Sequence, residues 1–186
     1  GLNELCPALI NDVAVENTLG DVLSQNGLSQ LRIAETEKYN HVTYFMDAER
    51  NIDYPNGKKI LIPSPDVATF DLKPEMSAVE ITDALLPVLP DYDVVILNWA
   101  NGDMVGHTGN FRATVKAVET VDKALEIIVN QILKLGGECI VTADHGNADD
   151  MRPSSNFKTT HTLNPVMCVL VSNTKKPKLK FGGLSN

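Results

Sequence analysis

Positive charge is in short supply. The 186-residue chain carries 16 Lys and Arg against 24 Asp and Glu, a formal net charge of -8. That balance argues against binding nucleic acid or an anionic membrane through bulk charge. An anionic substrate would have to be met by local cations or by metal. Long hydrophobic runs are missing too: none approaches the roughly 20 apolar residues a membrane span needs, and no secretory signal is visible. The opening Gly1 reads as a tag scar. Cysteine is scarce, with only Cys6, Cys139 and Cys168 and no Cys-x-x-Cys spacing. This composition disfavours a disulfide framework and zinc ligation by thiolates. Buried free thiols in a reducing cytosol, and so a cytoplasmic protein, are expected.

What the chain does have is 43% hydrophobic residues, enough for the core of one ordinary domain or most of one. "VAVENTLGDVLSQNG" (13–27) reads as a helix stopped by Gly27. "HVTYFM" (41–46) is β-branched and aromatic, which predicts a strand. "ERNIDYPNGKK" (49–59) reads as a loop with a hairpin turn at "PNG", and "ILIPSP" (60–65) as a short strand ended by its prolines. "SAVEITDALLPVL" (77–89) predicts a helix with Ser77 as N-cap. "DVVILNW" (93–99) is an unbroken apolar run, as in a strand covered on both faces. Over 111–137, Val115, Val118, Val121, Leu125, Ile128, Ile132 and Leu135 recur at spacings of three and four, one stripe of a long helix stopped by Gly136 and Gly137. "ECIVTAD" (138–144) and "NPVMCVLVS" (164–172) read as two further strands. Helices alternating with buried strands imply an α/β fold of three layers, a largely parallel sheet with helices on both faces. The lysine-rich tail "TKKPKLKFGG" reads as a solvated end.

In open α/β sheets, ligands sit beyond the carboxyl ends of the strands. The run 93–99 leads into Asp103 and His107, the run 138–143 into Asp144 and His145, and His161 precedes the last strand. His41 has no acid beside it and reads as structural or surface, and Asp149 and Asp150 as solvated loop acids. Gly102, Gly106 and Gly109 would let the backbone bend close to the site. Carboxylate oxygen with imidazole nitrogen suits a divalent ion such as Mn, Zn or Fe. One ion needs about three protein ligands. Five candidates therefore suggest two ions, the usual device for stabilising the attacking and leaving oxygens of phosphoryl transfer. Asp and His also close turns at strand ends, so spacing alone leaves the metal site and the turn reading both open.

"LNWANGDMVGHTGN", "VTADHGNADDM" and "HTLNPV", in that order, closely resemble the C-terminal half of the phosphatase domain of the cofactor-independent phosphoglycerate mutases, members of the alkaline phosphatase superfamily. "LRIAETEKYNHVTYFM" and "SPDVATFDLKPEMSAVEITD" extend the likeness over nearly the whole chain. The resemblance implies an alkaline-phosphatase-like domain, incomplete here. Residues 1–186 would be its C-terminal portion, without the N-terminal segment that bears the nucleophilic serine and without the inserted phosphotransferase domain. It implies an isomerase of glycolysis and gluconeogenesis that interconverts 3-phosphoglycerate and 2-phosphoglycerate through a phosphoserine, with two Mn2+ ions. Zn2+, Fe2+ or Mg2+ are substitutes. Asp103, His107 and His161 match the ligands of one ion, and Asp144 and His145 those of the other. The catalytic serine is expected outside this chain. The partner implied is a small phosphoglycerate, with no nucleic acid and no membrane; the piece alone is expected to be inactive and to self-associate through exposed sheet. One departure stands out. Where the family has a phosphate-contacting lysine in Ser-Pro-Lys-Val-Ala-Thr, this chain has Asp66, between Pro65 and Val67. The rival readings are another phosphomutase or phosphatase of the superfamily, or a non-catalytic relative acting as a binding module, which Asp66 favours.

Overall fold

Six consecutive buried residues, Gln30–Glu35, form β1, the middle strand of a parallel sheet. β2 (Gly57–Ile62) and β3 (Val94–Asn98) lie on either side of it, with Ile33 opposite Ile60 and Leu97. A computed structural model describes residues 15–151 and 159–177 of the chain. Leu31 and Ile33 point to one face, where they pack on Ile81 and Leu85 of α3 (Ala78–Leu85) and Ile128 of α5 (Phe111–Lys134). On the other face Gln30 donates to the Gly20 carbonyl in α1 (Leu19–Gln25), and Arg32 donates to the Val42 carbonyl at the end of α2 (Thr36–Val42). Helices thus cover both faces of the parallel sheet, as expected. The Arg32 charge is balanced by Asp47 at 3.1 Å, a carboxylate that also accepts from the Tyr54 hydroxyl.

This central strand is hidden in the sequence by its Gln, Arg and Glu, which mimic a surface segment. The opposite error falls on 41–46. Those residues are not a strand: they hold the end of α2 and a following turn, because β1 passes straight into α2 at Thr36. The Phe45 amide donates to the Asn40 carbonyl and the Thr43 hydroxyl to that of Tyr39, so local hydrogen bonding overrides β propensity. Nor is there a hairpin at 55–57: β2 pairs with β1 in parallel, not with a strand just before it. The first helix is shorter than its pattern. Thr18 and Asp21 form a reciprocal capping box at its start, and residues 13 and 14 lie outside the described part. Gly27, at φ 71°, adopts the left-handed turn that ends it. Ser77 stands at the N-cap of α3, but its hydroxyl donates to the Pro63 carbonyl and ties down the exit of β2.

The long helix runs as its pattern predicts, with a split stripe. Ile128 and Ile132 join the main core, Ala113 and Ala117 pack with Met76, Ala100 and Val105 in a second one, and Val115, Val118 and Leu135 are exposed. That second core seats α4 (Asn101–Gly106), which follows β3. β4 (Cys139–Thr142) and β5 (Cys168–Val171) are strands, but they form a separate antiparallel pair. Neither is fully buried, and an apolar cleft separates β4 from β3. Cys168 is therefore exposed, whereas burial pushes the half-buried Cys139 thiol up; Cys6 lies outside the described residues. In the tail, Lys175 pairs with Glu138 at 2.9 Å, and residues beyond 177 lie outside the described part. No described helix is long and apolar enough to cross a membrane.

Two stability effects follow. Ile81 is fully buried in the main core, so Ile81→Ala is expected to cost about 2–5 kcal/mol in urea unfolding, through lost burial and the cavity left behind. The Arg50 guanidinium, 2.6 Å away, draws the Asp21 carboxyl down to about 2 from 3.8 against the opposing effect of burial, with help from Thr18 and Tyr54. Because the folded value is the lower one, this contribution is present above about pH 4 and lost as pH falls toward 2. Asp21→Asn is expected to flatten that acid limb of the urea midpoint against pH.

Candidate metal centre

Three strand ends deliver the chemistry to one place. β1 gives way at once to α2, whose first turns carry Lys38. β3 leads into α4, which carries Asp103 in its first turn, and His107 follows one turn later on the same side. β4 ends just before Asp144 and His145. His161 comes from a separate segment, held by a bridge in which the Thr162 amide donates to the Gly146 carbonyl at 2.8 Å. Asp149 reinforces this bridge: its carboxylate accepts from the Thr162 hydroxyl at 3.0 Å and from Asn164 at 2.6 Å. It is a clasp more than a solvated acid. A Cβ on Gly146 would collide with the Thr162 hydroxyl, so only glycine lets the two segments close.

All five sequence-predicted residues meet. Asp103 Oδ1 lies 3.0 Å from His107 Nε2 and 3.3 Å from His161 Nε2, and the two imidazole nitrogens are 3.2 Å apart. Asp103, His145 and His161 also offer atoms within 4.8 Å of one another. His145 stacks on His161 with ring centres 3.6 Å apart, and its Nε2 lies 3.6 Å from Asp144 Oδ2 and 3.8 Å from Asp103 Oδ2. The cluster is thus two overlapping sets that share one carboxylate, Asp103, each oxygen facing a different set.

The first set fits a divalent ion. His107 Nδ1 sits 2.5 Å from the Thr159 carbonyl oxygen and must donate to it, which leaves Nε2 as an acceptor. That lone pair faces Asp103 Oδ1 and His161 Nε2, an arrangement that calls for a proton or a cation among the three atoms. Ligands bound at about 2.1 Å and roughly 90–110° apart are about 3.0–3.4 Å from each other, and the observed spacings fall in that range. Asn147, nearly buried, donates to Asp103 Oδ1 at 2.7 Å and to the Asp103 carbonyl at 3.1 Å, and so fixes the carboxylate in place. Gly106 leaves room for that amide, since a Cβ there would meet Asn147 Oδ1 at 2.5 Å.

The second set contains a cation that sequence reasoning missed. Lys38 Nζ, 3% exposed, lies 2.9 Å from Asp103 Oδ2, 3.0 Å from Asp144 Oδ2 and 3.4 Å from His145 Nε2. Burial works against its charge, but the hydrogen bonds it donates to both acids outweigh burial and hold its pKa above the usual lysine value. Burial likewise works against ionising Asp103 and Asp144; their contacts with Lys38, and for Asp103 also with Asn147, prevail and hold both below the usual carboxylate range. A lone lysine in "ETEKYNH" carries no motif, and the strand end that positions it is visible only in the structure. Asn147 was equally unmarked. Asp66 lies exposed in the loop after β2, and His41 packs edge-on to Phe45 at 5.3 Å between ring centres.

Comparison with known proteins places the chain in a family. Over 182 residues the chain is 50% identical to 2,3-bisphosphoglycerate-independent phosphoglycerate mutase 2 of Methanosarcina barkeri, covering 96% of this chain and 35% of that protein. Over 177 residues it is 55% identical to the 2,3-bisphosphoglycerate-independent phosphoglycerate mutase of Clostridium acetobutylicum, covering 92% of this chain and 35% of that one. Its fold matches the crystal structure of Leishmania mexicana phosphoglycerate mutase at low cobalt concentration with a TM-score of 0.79 and 36% identity, over 86% of this chain and 32% of that chain. The chain therefore spans about a third of the length of the mutases it matches. Residues 8–185 match the Metalloenzyme superfamily, and the chain belongs to that family.

Proposed function

We propose that the chain is the C-terminal portion of the metal-binding, phosphatase-like domain of a phosphoglycerate mutase. The intact protein would interconvert 3-phosphoglycerate and 2-phosphoglycerate in the cytoplasm, as an isomerase of glycolysis and gluconeogenesis. The observation that carries this reading is the meeting of Asp103, His107 and His161, spaced 3.0–3.3 Å apart, beside Asp144 and His145. Likeness to the mutases at 50% identity supplies the substrate class.

Asp103, His107 and His161 would hold one Mn2+, and Asp144 and His145 would contribute to a second. Carboxylate and imidazole donors suit Mn2+, with Zn2+, Fe2+ or Mg2+ as substitutes. Bound ions would supply positive charge to stabilise the oxygens of a transferring phosphoryl group and lower the pKa of a serine hydroxyl. The chain's own residues set the stage for that chemistry. Asn147 holds the Asp103 carboxylate, the Thr159 carbonyl turns the His107 Nε2 lone pair inward, and Lys38 places a buried ammonium beside both acids. Asp103 and Asp144 together outweigh Lys38 by one negative charge, so the centre attracts cations before it can attract phosphate. The serine that takes the phosphoryl group is expected from outside this chain.

Two tests bear on this. In equilibrium dialysis with MnCl2, His107→Ala is expected to weaken binding roughly 100-fold and Asn147→Ala about 10–100-fold, with His41→Ala unchanged. Equal metal content in wild type and His107→Ala would overturn the assignment. The second test grafts the chain in place of the matching third of the Methanosarcina barkeri mutase and assays it on 3-phosphoglycerate. Asp66→Lys is expected to raise kcat/KM roughly tenfold, by replacing a charge that repels phosphate with one that attracts it. A graft that binds Mn2+ but stays inactive even with lysine at that position would exclude the mutase reading.

A further inference from the structure

Residues 159–164 form a strap across the Asp and His cluster, and three of the five candidate ligands depend on it. His161 lies on the strap itself. The Thr159 carbonyl accepts from His107 Nδ1 at 2.5 Å and so turns the His107 Nε2 lone pair inward. The His161 ring also stacks on that of His145, with ring centres 3.6 Å apart. A displaced strap would therefore move one ligand, free the orientation of a second and unstack a third.

Among the described residues the strap has one backbone bridge to the turn below it, from the Thr162 amide to the Gly146 carbonyl. Asp149 supplies the side-chain ties. Its two oxygens each lie 3.0 Å from the Thr162 hydroxyl, and Oδ2 accepts from the Asn164 side-chain amide at 2.6 Å. The Thr162 hydroxyl in turn accepts from the Asn164 backbone amide at 3.4 Å, which closes a ring of three residues. Asp149 is thus engaged by strap donors on both oxygens, and its full charge strengthens each contact.

We infer that Asp149 is a positioning residue of the metal centre, acting on His161 and His107 through the strap. The inference rests on the metal reading for the purpose of the strap, and on the strap's hydrogen bonds alone for its mechanism. A carboxylate is required because both of its partners are donors. An amide at position 149 can accept from Thr162 with its oxygen, but it then turns its own NH2 toward the NH2 of Asn164, donor against donor at the 2.6 Å contact. Moving the carboxylate to position 164 reverses the polarity of that contact and makes it favourable again, with the net charge unchanged. A solvated acid at 149 would show no such dependence on residue 164.

The test compares Asp149→Asn, Asn164→Asp and the two combined, with Asp149→Ala as a second disruptive variant. Folding is checked for each by circular dichroism and by the urea midpoint in EDTA. In equilibrium dialysis with MnCl2, affinity is expected to fall roughly tenfold in each single variant. The combined variant is expected to return to within about threefold of wild type, a coupling between neighbours that independent sites would not show. NMR of the imidazole nitrogens in EDTA, at about pH 8 where histidine is neutral, reads the strap without metal. His107 should carry its proton on Nδ1 in wild type and the combined variant, and lose that preference in the single variants. Unchanged Mn2+ affinity in Asp149→Asn and Asp149→Ala would overturn the proposal, whatever happens to the urea midpoint. So would a combined variant no better than the single ones, or a His107 proton that stays on Nδ1 throughout. Wild type without Mn2+ affinity would refute the metal reading, and the spectra in EDTA would still decide whether Asp149 sets the imidazoles.

Discussion

One carboxylate, that of Asp103, has to serve two neighbourhoods at once. Its Oδ1 faces the imidazole nitrogens of His107 and His161, and its Oδ2 faces the Lys38 ammonium. Half-buried negative charge is costly unless it is paired or hydrogen-bonded, and here Lys38, Asn147 and the imidazoles all supply partners. Much of the fold can be understood as holding those partners in place. α4 must start directly after β3, α2 directly after β1, and the segment around Thr162 must clasp Gly146. Displacing any one of these elements would leave a charge or a lone pair facing nothing.

The same arrangement sets the local charge of the cluster apart from that of the chain as a whole. The overall charge of -8 repels phosphate at long range. Within the centre, two acids and one lysine leave one net negative charge, which would favour a divalent cation whose own charge would reverse the local field. Lys38 differs from an ion in being covalently fixed. Its buried position between Asp103 and Asp144 means that it cannot be screened by salt as a surface lysine would be. Asp66, exposed after β2, adds a further negative charge.

Stability is concentrated in the half of the molecule that the three parallel strands organise. Leu31, Ile33, Ile81, Leu85 and Ile128 make a closed core, while β4 and β5 have no fully buried residue. The Asp and His cluster sits at the junction between these halves. Asp103 and His107 rest on the second core of Met76, Ala100, Val105 and Ala117, whereas Asp144 and His145 hang from the less supported pair of strands.

The sequence by itself determined the α/β class, the long helix, β3 and the five Asp and His residues that the structure brings together. Each of those rests on a local signal: period, an apolar run, or acid and imidazole just past a strand. Only the tertiary structure showed that Gln30–Glu35 is the central strand, that 41–46 turns instead of extending, and that β4 pairs with β5 apart from the parallel sheet. It alone brought Lys38 and Asn147 to Asp103. The reason is physical. Periodicity reports how a segment is solvated on its own faces, but a buried charge such as Arg32 or Lys38 is tolerated only because a partner distant in sequence, Asp47 or Asp144, is folded against it.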